Sequence, residues 1–263
     1  MLSDKLKPTS AVTSKEHWQQ EVRDSARILK PDKTYSAYFQ RYLPRCKGLT
    51  ALEIGACPGG HLLELVLSHG YQPIALDYIP EVHHLVEGFS NCGVADLEVI
   101  EADFLEFDTD RRFNVVMSFG FLEHFSFPEE ILRRHWALVA TGGFLIVGVP
   151  IFAYLQMLLR RLVLTSEQLA WTLNAHNRAI MNLDVLRKFC QVLPGCEEIV
   201  MASYVRNMET WFSPSDSYVR RKRAWIIYVW RLLALIPKWF NISCRFFSPY
   251  AIVIVRREKN PGE

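Results

Sequence analysis

Between Leu49 and Val149, short apolar runs rich in β-branched residues alternate with stretches of helical character. The runs are Leu49–Ile54, Pro73–Leu76, Leu97–Ile100, Phe113–Met117 and Phe144–Val149. His61–His69, Pro80–Phe89 and Pro128–Val139 lie between most of them. Runs that are apolar throughout suit strands covered on both faces, which is the condition of a parallel sheet with crossover helices. The alternation therefore predicts an α/β fold with a doubly wound sheet.

The flanks follow a different rhythm. Ser14 caps an amphipathic helix over Lys15–Leu29 that stops at Pro31, and Tyr35–Leu43 reads as a second short helix. After Val149, Ile151–Leu164 and Ser166–Ala175 are helical where a simple crossover needs only a short connection. Leu183–Leu193 is a further helix. Cys196–Tyr204 and Tyr250–Arg256 read as strands, separated by a segment that carries the tryptophan-rich helix Ala224–Phe240. With 263 residues, half of them apolar, the chain can bury one sizeable core. It reads as one domain, 1–263, with helical insertions at 151–181 and 205–247.

Charge is unevenly spread. Residues 1–150 hold 14 basic and 20 acidic side chains, whereas 151–263 hold 16 basic and 8 acidic. The basic half suits an anionic substrate, a membrane surface or nucleic acid, or is simply a solvated surface. The six cysteines are scattered without a Cys-x-x-Cys pair or zinc-like spacing, which fits a reduced, cytoplasmic protein. Met1–Pro8 lacks the apolar core of a signal peptide. Ala224–Phe240 is interrupted by Arg231, Pro237 and Lys238 and falls short of the roughly 20 apolar residues of a spanning helix.

The chemistry concentrates in Leu49–Leu65, where an apolar strand runs through a glycine-bearing turn straight into a helix. Gly55 lets the chain leave the strand, and Gly59 and Gly60 let a ligand approach the main chain at the helix start. Ala56 and Cys57 complete the turn. A dinucleotide fingerprint is broken there, because Cys57 stands where the second glycine would admit a pyrophosphate. Glu53, inside the strand, would repel a pyrophosphate but suits a cationic amino-acid ligand; its alternative role is to cap the following turn. Asp77, with Tyr78 after it, closes the second strand where an acid can accept both hydroxyls of a ribose. Asp103 and Phe104 follow the third strand and suit an adenine edge. Phe113–Phe125 then ends the fourth strand in a small-residue turn, Ser118-Phe119-Gly120.

The succession Glu-Ile-Gly-Ala-Cys-Pro-Gly-Gly, Leu-Asp, Glu-Ala-Asp-Phe, Ser-Phe-Gly-Phe-Leu-Glu-His-Phe and Gly-Gly-Phe-Leu-Ile-Val resembles the class I S-adenosylmethionine-dependent methyltransferase family. It is most similar to the branch that acts on small molecules. The likeness spans residues 49–149 and continues beyond only in the order of elements. It implies a Rossmann-like, seven-stranded sheet, mostly parallel with an antiparallel last strand. It divides the chain into an N-terminal helical cap (1–48), a cofactor-binding half (49–149) and a substrate-side half (150–263). Glu53 and the Gly55–Gly60 backbone would then hold the methionine portion of S-adenosylmethionine, and Asp77 the ribose. Asp103 and Phe104 would hold the adenine, Ser118 would face the sulfonium, and Phe119 would be among the cofactor-binding residues. Cys57 departs from the glycine frequent in the family.

If the acceptor is a hydroxyl, a general base assists, and histidine is the usual one. His124, after the fourth strand, and His176, in the first insertion, are the candidates; each has a packing or capping alternative. Replacing both without loss of turnover would remove that role. Ser118-Phe-Gly-Phe is unlike the Asn/Asp-Pro-Pro-Tyr/Phe of nucleic-acid amino methyltransferases, so nucleic acid is disfavoured as acceptor. No carboxylate set of the metal-assisted kind is apparent, so no metal is expected. Arg220–Arg223 and the aromatic helix after it resemble an interfacial membrane segment over 220–240, or else a lid over a greasy pocket. Either favours a small or medium-sized, apolar or lipid- or saccharide-linked acceptor, with S-adenosylhomocysteine as co-product. Two other readings stay open: a binding protein of this fold without turnover, and an NAD-dependent oxidoreductase, which Cys57 and Glu53 oppose.

Overall fold

Strand β1, Thr50–Ile54, is followed by β2 (Gln72–Asp77), β3 (Glu98–Glu101), β4 (Phe113–Phe119), β5 (Val139–Pro150), β6 (Cys196–Tyr204) and β7 (Tyr250–Arg257). The computed structural model describes residues 15–24, 29–205, 213–236 and 242–259. All seven strands form one sheet in the order β3-β2-β1-β4-β5-β7-β6. The first five pair in parallel, and β7 runs antiparallel to both β5 and β6. This is the expected doubly wound sheet.

The helices are α1 (Lys15–Asp24), α2 (Ser36–Tyr42), α3 (Gly60–His69), α4 (His84–Asn91), α5 (Pro128–Ala137), α6 (Tyr154–Val163), α7 (Ser166–Asn174), α8 (Leu183–Gln191) and α9 (Trp225–Leu233). One face of the sheet, with Leu52, Val116 and Val147, packs on Ile131 and Trp136 of α5 and Leu186 of α8. The other, with Ala51, Val115 and Met117, packs on Phe39, Leu62 and Phe89 of α2, α3 and α4. Neighbouring strand residues thus serve opposite faces, and both faces are dry, which is why the strands read as unbroken apolar runs.

Differences from the sequence expectation are local. The first helix is described over Lys15–Asp24, and residues 25–28 of the expected Lys15–Leu29 lie outside the described part. Residues 80–83 form a 3-10 turn before α4. The strand expected at Phe144 begins at Val139: Gly142, at φ +69°, and a register shift between Phe113 and Val115 absorb an irregularity that reads as a turn. The expected helix Ala224–Phe240 is described as α9 over Trp225–Leu233, and residues 237–241 lie outside the described part.

The insertions make a third, smaller core. Leu159 and Val163 of α6 meet Ile227 and Trp230 of α9, with Val219 between. Main-chain bonds from Arg220 N–H to Val163 O (2.7 Å) and from Thr165 N–H to Tyr218 O (2.9 Å) tie the two insertions together. Among the described residues no helix is long and apolar enough to cross a membrane.

Candidate functional site

In an open α/β sheet the ligand crevice lies beyond the carboxyl ends of the strands, where successive crossovers part to opposite sides. Here that point falls between β1 and β4. Two adjoining cavities open there and share Val22, Gly55, Cys57 and Phe119.

The glycine turn is shaped by tight packing. Gly55 and Gly59 adopt φ of +68° and +85°, in the left-handed region. A Cβ on Gly55 would stand 2.8 Å from Phe121 Cδ2, and one on Gly59 2.9 Å from Leu85 Cδ2. Gly60 differs from its sequence reading, because the close approach there comes from the protein itself: a Cβ would lie 3.1 Å from Lys30 O, and Asp32 N–H donates to Gly60 O at 2.9 Å.

Glu53 is buried and turned toward α3, where Leu62 N–H donates to its Oε2 at 3.1 Å. It therefore does cap the helix, and it also lines the second cavity with Gly55, Ala56, Cys57, Gly59 and Gly60. Burial holds its carboxyl well above the ordinary carboxylate range, against the lowering effect of that N–H.

Asp77 is likewise buried and accepts from Cys57 N–H (3.0 Å) and Ile79 N–H (3.3 Å). Burial raises its pKa, while those donors pull it down. Desolvation raises the Cys57 thiol strongly, with the neighbouring Asp77 charge adding to it, so the thiol stays protonated. Cys57 thus ties the turn to the acid at the end of β2.

Asp77, Tyr78, Asp103 and Phe104 come together in the first cavity, with Phe119, Phe121 and His124. Phe104 packs edge-on against the buried His135, with centroids 4.7 Å apart. Ser118 is not brought there. Its hydroxyl is buried in β4 without a hydrogen-bond partner, and Ser118 lines neither cavity. Phe119 lines both, stacked on Tyr35 at 4.3 Å.

His124 ends a 3-10 turn, Leu122–His124, at the mouth of the first cavity. His176 follows α7 and meets it with ring centroids 4.9 Å apart. The first insertion is fastened there: Asn177 N–H donates to Glu123 O at 2.6 Å and Asn177 Nδ2 to Phe125 O at 3.0 Å. Glu123 is buried, with its Oε1 3.7 Å from His124 Nε2, and desolvation pushes its carboxyl up to about 8.

Sequence reasoning did not single out Trp18, Val22, Phe121 or Glu123. Trp18 and Val22, one helical turn apart on α1, cover the first cavity, and Trp18 meets the His124 ring edge-on at 4.9 Å. Their spacing was visible in the sequence as an apolar stripe, but nothing local says what that stripe covers.

A family model described as a methyltransferase domain matches residues 14–193. No curated protein matches the chain. Among solved structures, an S-adenosylmethionine-dependent methyltransferase from Archaeoglobus fulgidus is 18% identical, with a TM-score of 0.54, over 92% of this chain and 99% of that one. One from Thiobacillus denitrificans, in complex with S-adenosyl-L-homocysteine, is 15% identical (TM-score 0.55) over 91% of this chain and 98% of that one. The cyclase SpnF is 15% identical (TM-score 0.52), over 86% and 81%. At such identities the likeness establishes a shared fold, and the cyclase illustrates that one fold hosts different reactions.

Proposed function

The chain belongs to the methyltransferase-domain family, and from that premise we propose that it transfers a methyl group from S-adenosylmethionine to a small or medium-sized, apolar acceptor, at oxygen. The observation that carries this reading is the pair of joined cavities at the β1/β4 crevice. One is lined by the carboxylate of Glu53 and the glycine turn, the other by Asp77, Asp103 and Phe104. The donor set fits the molecule. Glu53 beside the turn suits its cationic methionine end, Asp77 suits the ribose diol, and Phe104 with Asp103 suits the adenine face and edge. When bound, S-adenosylmethionine supplies a methyl group activated for displacement by its positively charged sulfur.

The protein's own contribution is positioning and exclusion of water, which together can supply much of the lowering of a transfer barrier. Trp18, Phe119, Phe121 and Phe125 give the acceptor end of the first cavity an apolar wall. His124 lines the same cavity, with the His176 ring 4.9 Å from it, and the pair suits action on an acceptor hydroxyl. The exposed face of α9, with Trp225, Tyr228 and Leu232, follows the cluster Arg220–Arg223 and is suited to a membrane surface from which an apolar acceptor is drawn.

Calorimetric titration with S-adenosylmethionine and S-adenosylhomocysteine, with NAD as control, tests the reading. Micromolar binding of the first two and none of NAD is expected. Asp77→Asn, which keeps the shape of the side chain, should weaken binding by about tenfold or more, as loss of a charge-assisted hydrogen bond does. A folded protein that binds neither ligand sinks the proposal.

A further inference from the structure

Glu123, His124 and His176 bring one carboxylate and two imidazoles to a single point, with their ligand atoms all within 4.8 Å of one another. Two of the three come from the turn after β4 and the third from beyond α7, 52 positions along the chain from His124. The histidines are oriented alike. His124 Nδ1 lies 3.2 Å from Ala175 O, and His176 Nδ1 lies 2.7 Å from Thr172 O. A carbonyl oxygen only accepts, so each Nδ1 carries the hydrogen and each Nε2 carries the lone pair. This is the arrangement in which a backbone carbonyl holds a metal-binding imidazole.

The third group is a carboxylate whose Oε1 lies 3.7 Å from His124 Nε2. Its Oε2 is buried and has no hydrogen-bond partner. A buried carboxylate oxygen without a hydrogen-bond partner, set beside two imidazole nitrogens, is a donor set that a cation satisfies. The surroundings are dry: Trp18 meets the His124 ring, and Phe152 meets that of His176 at 5.5 Å.

We infer that Glu123, His124 and His176 form a binding site for one divalent transition-metal ion beside the first cavity, which His124 lines. Two imidazoles and a carboxylate favour zinc, cobalt or manganese over magnesium, which prefers an all-oxygen shell. Donors about 3.5 Å apart suit such an ion, so the loosest pair closes by about 1 Å on binding. Three protein ligands leave a position open. For the catalytic consequence the inference rests on the methyl-transfer reading. An acceptor hydroxyl taking that position would give its proton to water, and its oxygen would bond to the methyl carbon as the carbon–sulfur bond of S-adenosylmethionine breaks and S-adenosylhomocysteine leaves. The histidines then activate the acceptor through the ion rather than by accepting its proton. The ion-binding claim itself does not depend on that reading.

The full chain, freed of any histidine tag and of metal, is titrated with cobalt(II) while its visible absorption is followed. One equivalent should give ligand-field bands, displaced by zinc and not by millimolar magnesium. Glu123→Gln and His176→Ala should each weaken cobalt binding at least tenfold, with folding checked by circular dichroism. His176→Ala matters most, because that side chain is only half-buried. Absence of a stoichiometric cobalt spectrum, or a spectrum unchanged in His176→Ala, overturns the inference. S-adenosylmethionine binding without cobalt binding defeats the ion alone, and cobalt binding without S-adenosylmethionine binding defeats the methyltransferase reading alone.

Discussion

Asp77 illustrates how one side chain can serve structure and ligand together. Its two oxygens already draw in the N–H groups of Cys57 and Ile79, so the acid is fixed at the end of β2 and the glycine turn is fixed to it. A carboxylate has about four acceptor positions, which leaves room for a diol. His135 shows the opposite economy. It is fully buried, its Nδ1 donates to Ile131 O, and its Nε2 has no partner, so desolvation lowers its pKa to about 4. The unfolded chain takes up a proton near pH 6.5, whereas the folded one does so only near pH 4. Stability tied to this residue is therefore complete above about pH 6.5 and is lost as the pH falls toward 4, by about 3 kcal/mol in total. His135→Leu should flatten the acid limb of a urea-stability profile over that window by close to one proton. Identical slopes in the two proteins would contradict the assignment.

At the scale of elements, the pair of insertions is the informative part. α6 and α9 belong to insertions far apart in the chain, yet Leu159, Val163, Ile227 and Trp230 give them a core of their own, separate from those on the two faces of the sheet. Truncating Leu159 to alanine removes buried methyl groups from that small core at a cost of about 2–5 kcal/mol. Because stability is distributed in local units, the loss should fall on α6 and α9. Hydrogen exchange is expected to quicken in α6 and α9 while β1 and β4 keep their protection and cofactor affinity holds. Uniform acceleration over the whole sheet would show that the insertions and the sheet open as one unit. The same layout explains why α1 matters to the site: Trp18 and Val22 close the cavity from a helix that precedes the first strand.

Over the whole molecule, basic groups collect in the half that carries the insertions, with 16 basic against 8 acidic residues in 151–263. Arg220–Arg223 adjoin the exposed Trp225 and Leu232, which are 62% and 68% accessible. If this face meets an anionic bilayer, co-sedimentation with phosphatidylserine-containing vesicles should fall as salt shortens the screening length from about 10 Å at 0.1 M. Trp225→Ala with Leu232→Ala should reduce it several-fold. Failure to sediment at low salt would remove the membrane from the account.

The α/β class, the seven strands, the glycine turn and the acids Glu53, Asp77 and Asp103 were all legible in the sequence. Each is a local matter: a doubly covered strand must be apolar, and a tight turn before a helix demands glycine. Boundaries such as the early start of β5 were not legible, because a glycine pair inside a bulged strand looks like a turn. Nor was the displacement of Ser118 by Phe119, which depends on which face of β4 meets the cavity and not on residue type. Only the tertiary structure could join His176 to Glu123 and His124, or set Trp18 over the pocket. Those partners are distant in sequence, and no local periodicity records a contact made by chain closure. What the sequence by itself determined was the sheet and the glycine turn with the acids around it; what folding alone decided was which residues from distant parts of the chain meet at the crevice, because packing and not local pattern brings them together.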